Sequence, residues 1–594
     1  MQDNCLIQGT ASAYAYPLLI KQLLHTPLAV APTQEIVYRE LKRHTYRELR
    51  QRIGRLGSAL DAIGISRGDT VAVMDWDSHR YLESYFAIPM TGAVLMTVNV
   101  RLSPEQIVYT LNHSGAKALL VNTEFLPVLE SIRDQLEFAK VFVLLNDDAA
   151  QALPAGFAAE YEAMLEAASP DHEFPDFDEN TRATTFYTTG TTGAPKGVYF
   201  SHRQLVLHSL ATMGALTSAP HQGRIHRDDV YMPITPMFHV HAWGMPYIAT
   251  LMGLKQVYPG RYVPDNLLRT IEKEKVTFSH CVPTILHMLL SSPVSAAMDL
   301  SRWKVIIGGS ALPQGLAQAA VQRGIDVFTG YGMSETCPIL TLAQVKTSLM
   351  GDAARELATR AKTGLPVPLV DLRIVDPEMR DVPHDGRSPG EIVVRAPWLT
   401  QGYYKNEAAS EDLWGGAYLH TNDIGVIDGD GYVQVTDRIK DVIKTGGEWV
   451  SSLEVESLIS RHEAVSEAAV IGVKDAKWGE RPLALVVLKA GCAADQKAIQ
   501  DHLSAFAAAG TISKYAVPST VLFVEAIEKT SVGKLNKKLL REKYERSYQA
   551  VRRHAGPPSL ALNADTHRCS GRRCFGRTRK SIAGGWPRLR SGRI

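Results

Sequence analysis

The 594-residue chain contains no run of about 18 uninterrupted apolar residues, so it offers no segment able to cross a bilayer as a helix. Its first residues, Met1-Gln-Asp-Asn-Cys5, lack a basic stretch followed by an apolar one, and no secretory signal is expected. Cysteine is scarce. The six residues Cys5, Cys281, Cys337, Cys492, Cys569 and Cys574 show no paired spacing, which excludes a disulfide scaffold and suits reduced thiols in a cytoplasm. Internal repeats, heptads and low-complexity linkers are also missing. Net charge is only +2, and this small sum hides a division. Residues 552–594 hold 11 Lys/Arg and 1 acid, leaving 64 − 11 = 53 bases and 62 − 1 = 61 acids in residues 1–551. The body is therefore acidic and the tail basic. Lacking amphipathic spacing, the tail over 546–594 is expected to be disordered and to bind no nucleic acid. His567 beside Cys569 and Cys574 falls short of a zinc ligand set.

What is present is an ordinary globular composition, 45% hydrophobic and 21% charged, in a chain too long for one core. A helical pattern from Thr45 to Ile63 is followed by a strand-like Asp69-Thr-Val-Ala-Val-Met74. Further buried strands are predicted at Ala118 to Asn122, Val141 to Leu145, Thr277 to Cys281, Lys304 to Ile307 and Val327 to Thr329. Short buried strands alternating with amphipathic helices argue for an α/β fold with parallel sheets. From Leu369 to Arg395 the spacing becomes strand-turn-strand, with turns at Asp385-Gly386 and Pro389-Gly390, and an antiparallel barrel-like subdomain is expected. After Asp437-Arg-Ile-Lys440 a smaller α/β unit runs to about residue 545.

The densest chemical signal is Tyr187-Thr-Thr-Gly-Thr-Thr-Gly-Ala-Pro-Lys-Gly-Val198. The hydroxyls of Thr188, Thr189, Thr191 and Thr192, the bare backbone at Gly190 and Gly193, and the Lys196 ammonium together suit a polyphosphate. A lone Gly-x-x-Gly would be an ordinary turn; the whole dodecapeptide is more specific. It is not a Walker loop, since neither glycine leads into Gly-Lys-Ser/Thr. The run resembles the phosphate loop of the adenylate-forming acyl-CoA synthetases, the AMP-binding superfamily, with Thr189 where the usual form has Ser.

That resemblance covers roughly residues 30–545, and its other signatures follow in order. It implies a large domain, 1–437, holding nucleotide and acid, and a small mobile domain, 438–545, that swings over them. Gly308-Gly-Ser-Ala311 matches the adenine-side turn, giving Gly309, Ser310 and Ala311 as nucleotide contacts. In Gly330-Tyr-Gly-Met-Ser-Glu-Thr336, Gly330 and Gly332 shape the loop and Gly332 also borders the acid. Tyr331 lies along adenine, Ser334 stands near the α-phosphate, and Glu335 holds Mg²⁺. Asp423, in Tyr418-Leu-His-Thr-Asn-Asp423, accepts the ribose hydroxyls. Asn422 there replaces the family's glycine, and as the non-glycine residue most tolerant of positive φ it preserves the turn. Arg438 is a second ribose contact and Lys440 the hinge. Lys534, after Lys529-Thr-Ser-Val-Gly533, matches the adenylation lysine that bridges the acid's carboxylate and the α-phosphate. Gly447, in Lys444-Thr-Gly-Gly-Glu448, matches the glycine beside the pantetheine tunnel, with Lys444 close by. Glu528 replaces a common proline.

Acid selection is assigned to Pro236-Met-Phe-His-Val-His-Ala-Trp-Gly-Met-Pro-Tyr247, which is similar to a segment of medium- and long-chain fatty acyl-CoA synthetases, with His241 in place of Asn. Trp243 takes the position of a tunnel gate, Met237 and Met245 supply adaptable walls, and His239 is expected at the acid and in catalysis. The resemblance implies an ATP- and CoA-dependent ligase for a small carboxylic acid, passing through an acyl-AMP and acting on medium-chain fatty acids. Aryl or cinnamate ligation and a nucleotide-binding pseudoenzyme are the alternatives. A homodimer and peripheral membrane contact are compatible with the chain and not specified by it.

Overall fold

The computed structural model describes residues 7, 9–148, 151–188, 194–220, 223–445, 448–475, 477–530 and 534–554. Buried aliphatic strands build two large sheets. The first has seven strands in the order Ala159–Glu160, Val141–Leu145, Ala116–Asn122, Thr70–Met74, Val94–Thr97, Arg182–Tyr187 and Gly197–Ser201. Every neighbouring pair is parallel except the last. All five residues of Thr70–Met74 are buried, as a strand covered on both faces requires. The predicted helix is Tyr46–Ala62, with Thr45 as its N-cap. The Thr45 hydroxyl accepts from the Glu48 amide and the Glu48 carboxylate accepts from Thr45, while Leu49, Ile53, Leu56 and Leu60 face the core.

The second sheet has nine strands. Its parallel centre contains Val230–Pro233, Phe278–Cys281, Lys304–Ile307 and Asp326–Gly332. Beyond Thr329 the last of these pairs antiparallel with Ile339–Leu342. The turn-rich stretch forms an antiparallel five-stranded sheet in which Asp371–Val375 and Gly390–Arg395 face each other in register from Asp371/Arg395 to Val375/Glu391. Tyr418–Ile427 and Val433–Arg438 continue it.

After Arg438 a further five-stranded sheet gathers Ile443–Thr445, Glu448–Val450, Val465–Asp475, Gly479–Leu488 and Thr520–Phe523 around a core of its own that includes Val455, Ile459, Val470, Val486 and Leu503. The helix Lys537–His554 runs past the expected end of regular structure at 545, and residues 555–594 lie outside the described residues.

Asp437 ties the antiparallel sheet to the smaller unit. Its buried Oδ2 accepts 2.6 Å bonds from both the Ser452 amide and hydroxyl, and Oδ1 accepts from the Arg438 amide at 2.8 Å. Lys537 Nζ donates to the same Ser452 hydroxyl at 2.6 Å. Asp437→Ala leaves these donors without their acceptor, and the expected cost is about 1–3 kcal/mol. The denaturant midpoint of the full chain checks this; an unchanged midpoint would show the junction to be independent of Asp437.

Candidate active site

The parallel strands of the second sheet end level with one another, because Pro233 pairs with His280, Cys281 with Ile307, and Ile307 with Thr329. Their following loops therefore meet along one edge, the place where open parallel sheets bind ligands. Glycine is required there by contact. A Cβ on Gly308 would stand 2.7 Å from the Gly330 carbonyl oxygen and 2.9 Å from the Trp243 indole, and one on Gly332 would lie 1.7 Å from the Pro338 carbonyl oxygen. Gly309 adds a left-handed φ of +80°.

Tyr331 sits where pairing changes from parallel to antiparallel, and its hydroxyl donates to Asp423 Oδ2 at 2.7 Å. Arg438 Nε lies 3.3 Å from Asp423 Oδ1, on the facing strand whose register opposes Asp423 to Arg438. Asn422 takes φ 59°, as its replacement of glycine requires. Burial raises the Asp423 pKa, opposed by Arg438, the Tyr331 hydroxyl and Lys534. Glu335 is buried as well. Burial raises its pKa against the Tyr403 hydroxyl, which donates to Oε1 at 2.7 Å, and against the charges of Arg438 and Lys196. The Lys196 ammonium lies 4.5 Å from the Tyr403 ring centroid.

Lys534 enters this group from the smaller unit. Its backbone carbonyl accepts from the Thr530 amide at 2.7 Å and its amide donates to the Thr530 hydroxyl at 3.2 Å, closing a loop at its base. A Cβ on Gly309 would be 3.1 Å from Lys534 Cε and 3.9 Å from Nζ, so the lysine approaches bare backbone. Burial and the neighbouring Arg438 lower its pKa to about 8, despite Asp423 and Glu335. The structure thus brings Lys534, Asp423, Arg438, Glu335, Tyr331 and Gly309 together, with Lys196 on the Tyr403 side. Ser334 opens the short turn Ser334–Thr336, and Ser310 and Ala311 are exposed beyond Gly309.

The segment expected to select the acid, 236–247, contains a run of left-handed backbone. Val240, His241, Ala242 and Trp243 have φ of 47°, 54°, 45° and 58°, and Gly244 follows at 74°. Such conformations cost about 1–2 kcal/mol for each non-glycine residue, so the surroundings must hold them. Asp77 Oδ1 accepts from the Met237 amide at 2.8 Å, the Tyr85 hydroxyl donates to the Met237 carbonyl, and the Thr97 hydroxyl donates to the Phe238 carbonyl at 2.9 Å. Trp243 is 5% exposed, packed on Gly308 with its ring 5.0 Å from that of His280.

Met237 is fully buried and packs within the hydrophobic core. His239 has its pKa driven down to about 3 by burial, Lys534 and Arg101. These causes favour the neutral imidazole. Lys444 is exposed on a strand of the smaller unit, its amide donating to Glu480 Oε2 at 2.9 Å. Residues 189–193, which hold Thr189, Gly190, Thr191, Thr192 and Gly193, lie outside the described residues, as does Gly447. Thr188 closes the described base of that loop, its amide donating to the Lys196 carbonyl at 3.0 Å. Two residues here carry no motif: Tyr403, which joins Glu335 to Lys196, and Arg101, whose charge acts on His239. A tyrosine after Gly402 carries no signal beyond core aromatic.

Residues 24–404 match the family model for AMP-binding enzymes, and residues 454–534 match that for the AMP-binding enzyme C-terminal domain. A long-chain-fatty-acid–CoA ligase of Thermus thermophilus is 42% identical over 533 residues, covering 88% of this chain and 95% of that protein. A medium-chain-fatty-acid–CoA ligase of Ectopseudomonas oleovorans is 35% identical over 514 residues, covering 85% and 91%. The crystal structure of the anthranilate CoA ligase AuaEII with anthranoyl-AMP superposes with a TM-score of 0.79 at 26% identity, covering 90% of this chain and 99% of that one. The convergent strand ends, the glycine contacts and these matches agree: this chain belongs to the AMP-binding enzyme family.

Proposed function

We propose that the protein is a fatty acid–CoA ligase that joins a medium-chain acid to AMP, releasing pyrophosphate, and then passes the acyl group to the thiol of CoA. One observation carries this reading. Lys534, from the smaller unit, reaches Gly309 among two buried carboxylates and a guanidinium, in a chain similar to fatty acid–CoA ligases over most of its length.

A carboxylate resists attack because its charge repels nucleophiles and its leaving group would be oxide. Making the acyl adenylate requires two anions, the acid and the α-phosphate, to approach. An ammonium at Lys534 relieves that repulsion in the transition state, and exclusion of water strengthens its effect. Asp423 orients ribose with its two oxygens, steadied by Tyr331 and Arg438. Tyr331 packs along adenine beside the backbone of Gly309 and Ser310. The hydroxyls of the phosphate loop, together with Lys196, hold the departing pyrophosphate. Neutral His239 is a wall of the acid site. The buried Glu335 carboxylate, a hard oxygen donor, fits Mg²⁺, which leans on few protein ligands and on substrate phosphates, and the ion would neutralise charge there. After adenylation the smaller unit turns at the segment holding Lys440 so that Gly447 and Lys444 meet the thiol. Loss of the Lys534 contact during that turn separates the two half-reactions.

Pyrophosphate release that depends on an alkanoic acid, with thioester formation that depends on CoA, tests the assignment; adenylation of aryl acids alone would turn it to the aryl-CoA ligases. Lys534→Ala is expected to reduce acyl-AMP formation by several orders of magnitude while supplied acyl-AMP still becomes acyl-CoA. Equal loss in both half-reactions would remove Lys534 from its assigned role. Asp423→Asn keeps the shape but discards the charge paired with Arg438, and should raise the KM for ATP at least about tenfold, the scale of one lost charge-assisted bond. The KM for acid should move little, and an unchanged KM for ATP would place ribose elsewhere.

A further inference from the structure

Tyr403 meets two opposite charges at once. Its hydroxyl donates to Glu335 Oε1 at 2.7 Å, and the Lys196 ammonium lies 4.5 Å from the centroid of its ring. The charge of Lys196 acts on the buried Glu335 carboxylate, yet among the described residues Lys196 forms no ion pair. An ammonium and a buried carboxylate this close attract strongly. The phenol answers both instead, filling one acceptor site of the carboxylate and offering the ammonium an aromatic face.

Main-chain bonds keep the phenol in that position. The Thr400 amide donates to the Glu335 carbonyl at 3.0 Å, and the Thr400 hydroxyl donates to the Tyr199 carbonyl at 3.0 Å. The Tyr404 amide donates to the Gly197 carbonyl at 2.8 Å, and Tyr403 forms a bridge with Val198. Gly197, Val198 and Tyr199 belong to the strand that Lys196 immediately precedes. That join is tight: a Cβ on Gly197 would stand 3.2 Å from the Tyr187 ring and 3.3 Å from Tyr404 Cβ. The Tyr403 amide is itself spent on Ser410 Oγ at 2.8 Å. Segment 400–404 is thus bonded both to the turn of Glu335 and to the strand of Lys196, and Tyr403 cannot follow one partner away from the other.

Resting on the ligase reading above, we propose that Tyr403 is a positioning residue of the adenylation step, whose hydroxyl aims the Glu335 carboxylate and whose ring keeps Lys196 out of an ion pair with it, so that both charges stay available to ATP. A ring face releases an ammonium at smaller cost than a buried carboxylate does. A carboxylate held through one oxygen presents the other in a fixed direction, which is how outer partners tune a metal-binding carboxylate.

The test measures equilibrium binding of ATP to the full-length enzyme by titration calorimetry, in EDTA and across a Mg²⁺ series, beside the two half-reactions. Tyr403→Phe keeps the ring for Lys196 and removes only the donor. Its affinity for ATP in EDTA is expected to stay within about twofold of wild type, while the Mg²⁺ concentration that gives half of the Mg²⁺-dependent gain rises at least about tenfold. Tyr403→Leu removes the ring as well; Lys196 then pairs with Glu335, and affinity for ATP in EDTA should fall at least about tenfold. Adding Glu335→Gln to Tyr403→Leu takes away the carboxylate that traps Lys196 and should recover most of that metal-free affinity, a rescue that a merely structural tyrosine would not give. In both single variants acyl-AMP formation should slow, whereas supplied acyl-AMP, which carries no triphosphate, still becomes acyl-CoA. If the Leu variant fails to fold, Tyr403→Phe decides alone. A wild-type Mg²⁺ requirement in folded Tyr403→Phe overturns the inference, as does equal loss in both half-reactions or a Tyr403→Leu deficit that Glu335→Gln leaves in place. A wild-type enzyme that binds ATP but adenylates no acid overturns the ligase reading alone, and the calorimetry then decides the role of Tyr403.

Discussion

Lys534 stands in a place that penalises its own charge. Burial and Arg438 act against the ammonium, and Asp423 and Glu335 only partly restore it, leaving a pKa of about 8. Asp423 and Glu335 are pushed the other way, raised by burial. Asp423 and Arg438 form an ion pair at 3.3 Å, and Lys534 acts on both through its charge. An arrangement of this kind gains most when nucleotide and carboxylate supply the missing charges.

Backbone makes the approach possible. Level strand ends bring residues 308–311 and 330–336 to one edge, and at Gly308, Gly309 and Gly332 a side chain would collide with carbonyl oxygens, the Trp243 indole or Lys534 itself. The same edge receives the left-handed turn carrying His239, His241 and Trp243. Its strain is sustained by bonds to the Met237 and Phe238 peptides from Asp77, Tyr85 and Thr97, all of which belong to the first sheet or the segments that follow its strands. The first sheet thus braces the left-handed turn, and the loop before its last strand brings Lys196 to the Tyr403 side of the polar cluster.

Local patterns made the strands readable: Val141–Leu145 and Lys304–Ile307 form where predicted, and the helix pattern from Thr45 to Ile63 matches the capped helix Tyr46–Ala62. Motif order likewise anticipated that Tyr331, Glu335, Asp423, Arg438 and Lys534 would meet although they lie far apart in the chain. The left-handed turn was not legible, since Val, His, Ala and Trp all disfavour positive φ and only tertiary bonds impose it. Nor was the partnership of Tyr403 with Glu335, which depends on how two distant loops pack. The neutrality of His239 was hidden for the same reason: burial and two remote cations set it, and neither is local in sequence.

The most direct test of this account is an NMR titration of the Lys534 side chain in lysine-labelled full-length protein, its signal assigned through Lys534→Arg. The account predicts a midpoint near the depressed value of about 8 in the free enzyme and a rise when a non-hydrolysable acyl-adenylate analogue supplies its anionic linkage and ribose. A free-enzyme midpoint at the ordinary lysine value of 10.5, indifferent to the analogue, would contradict it.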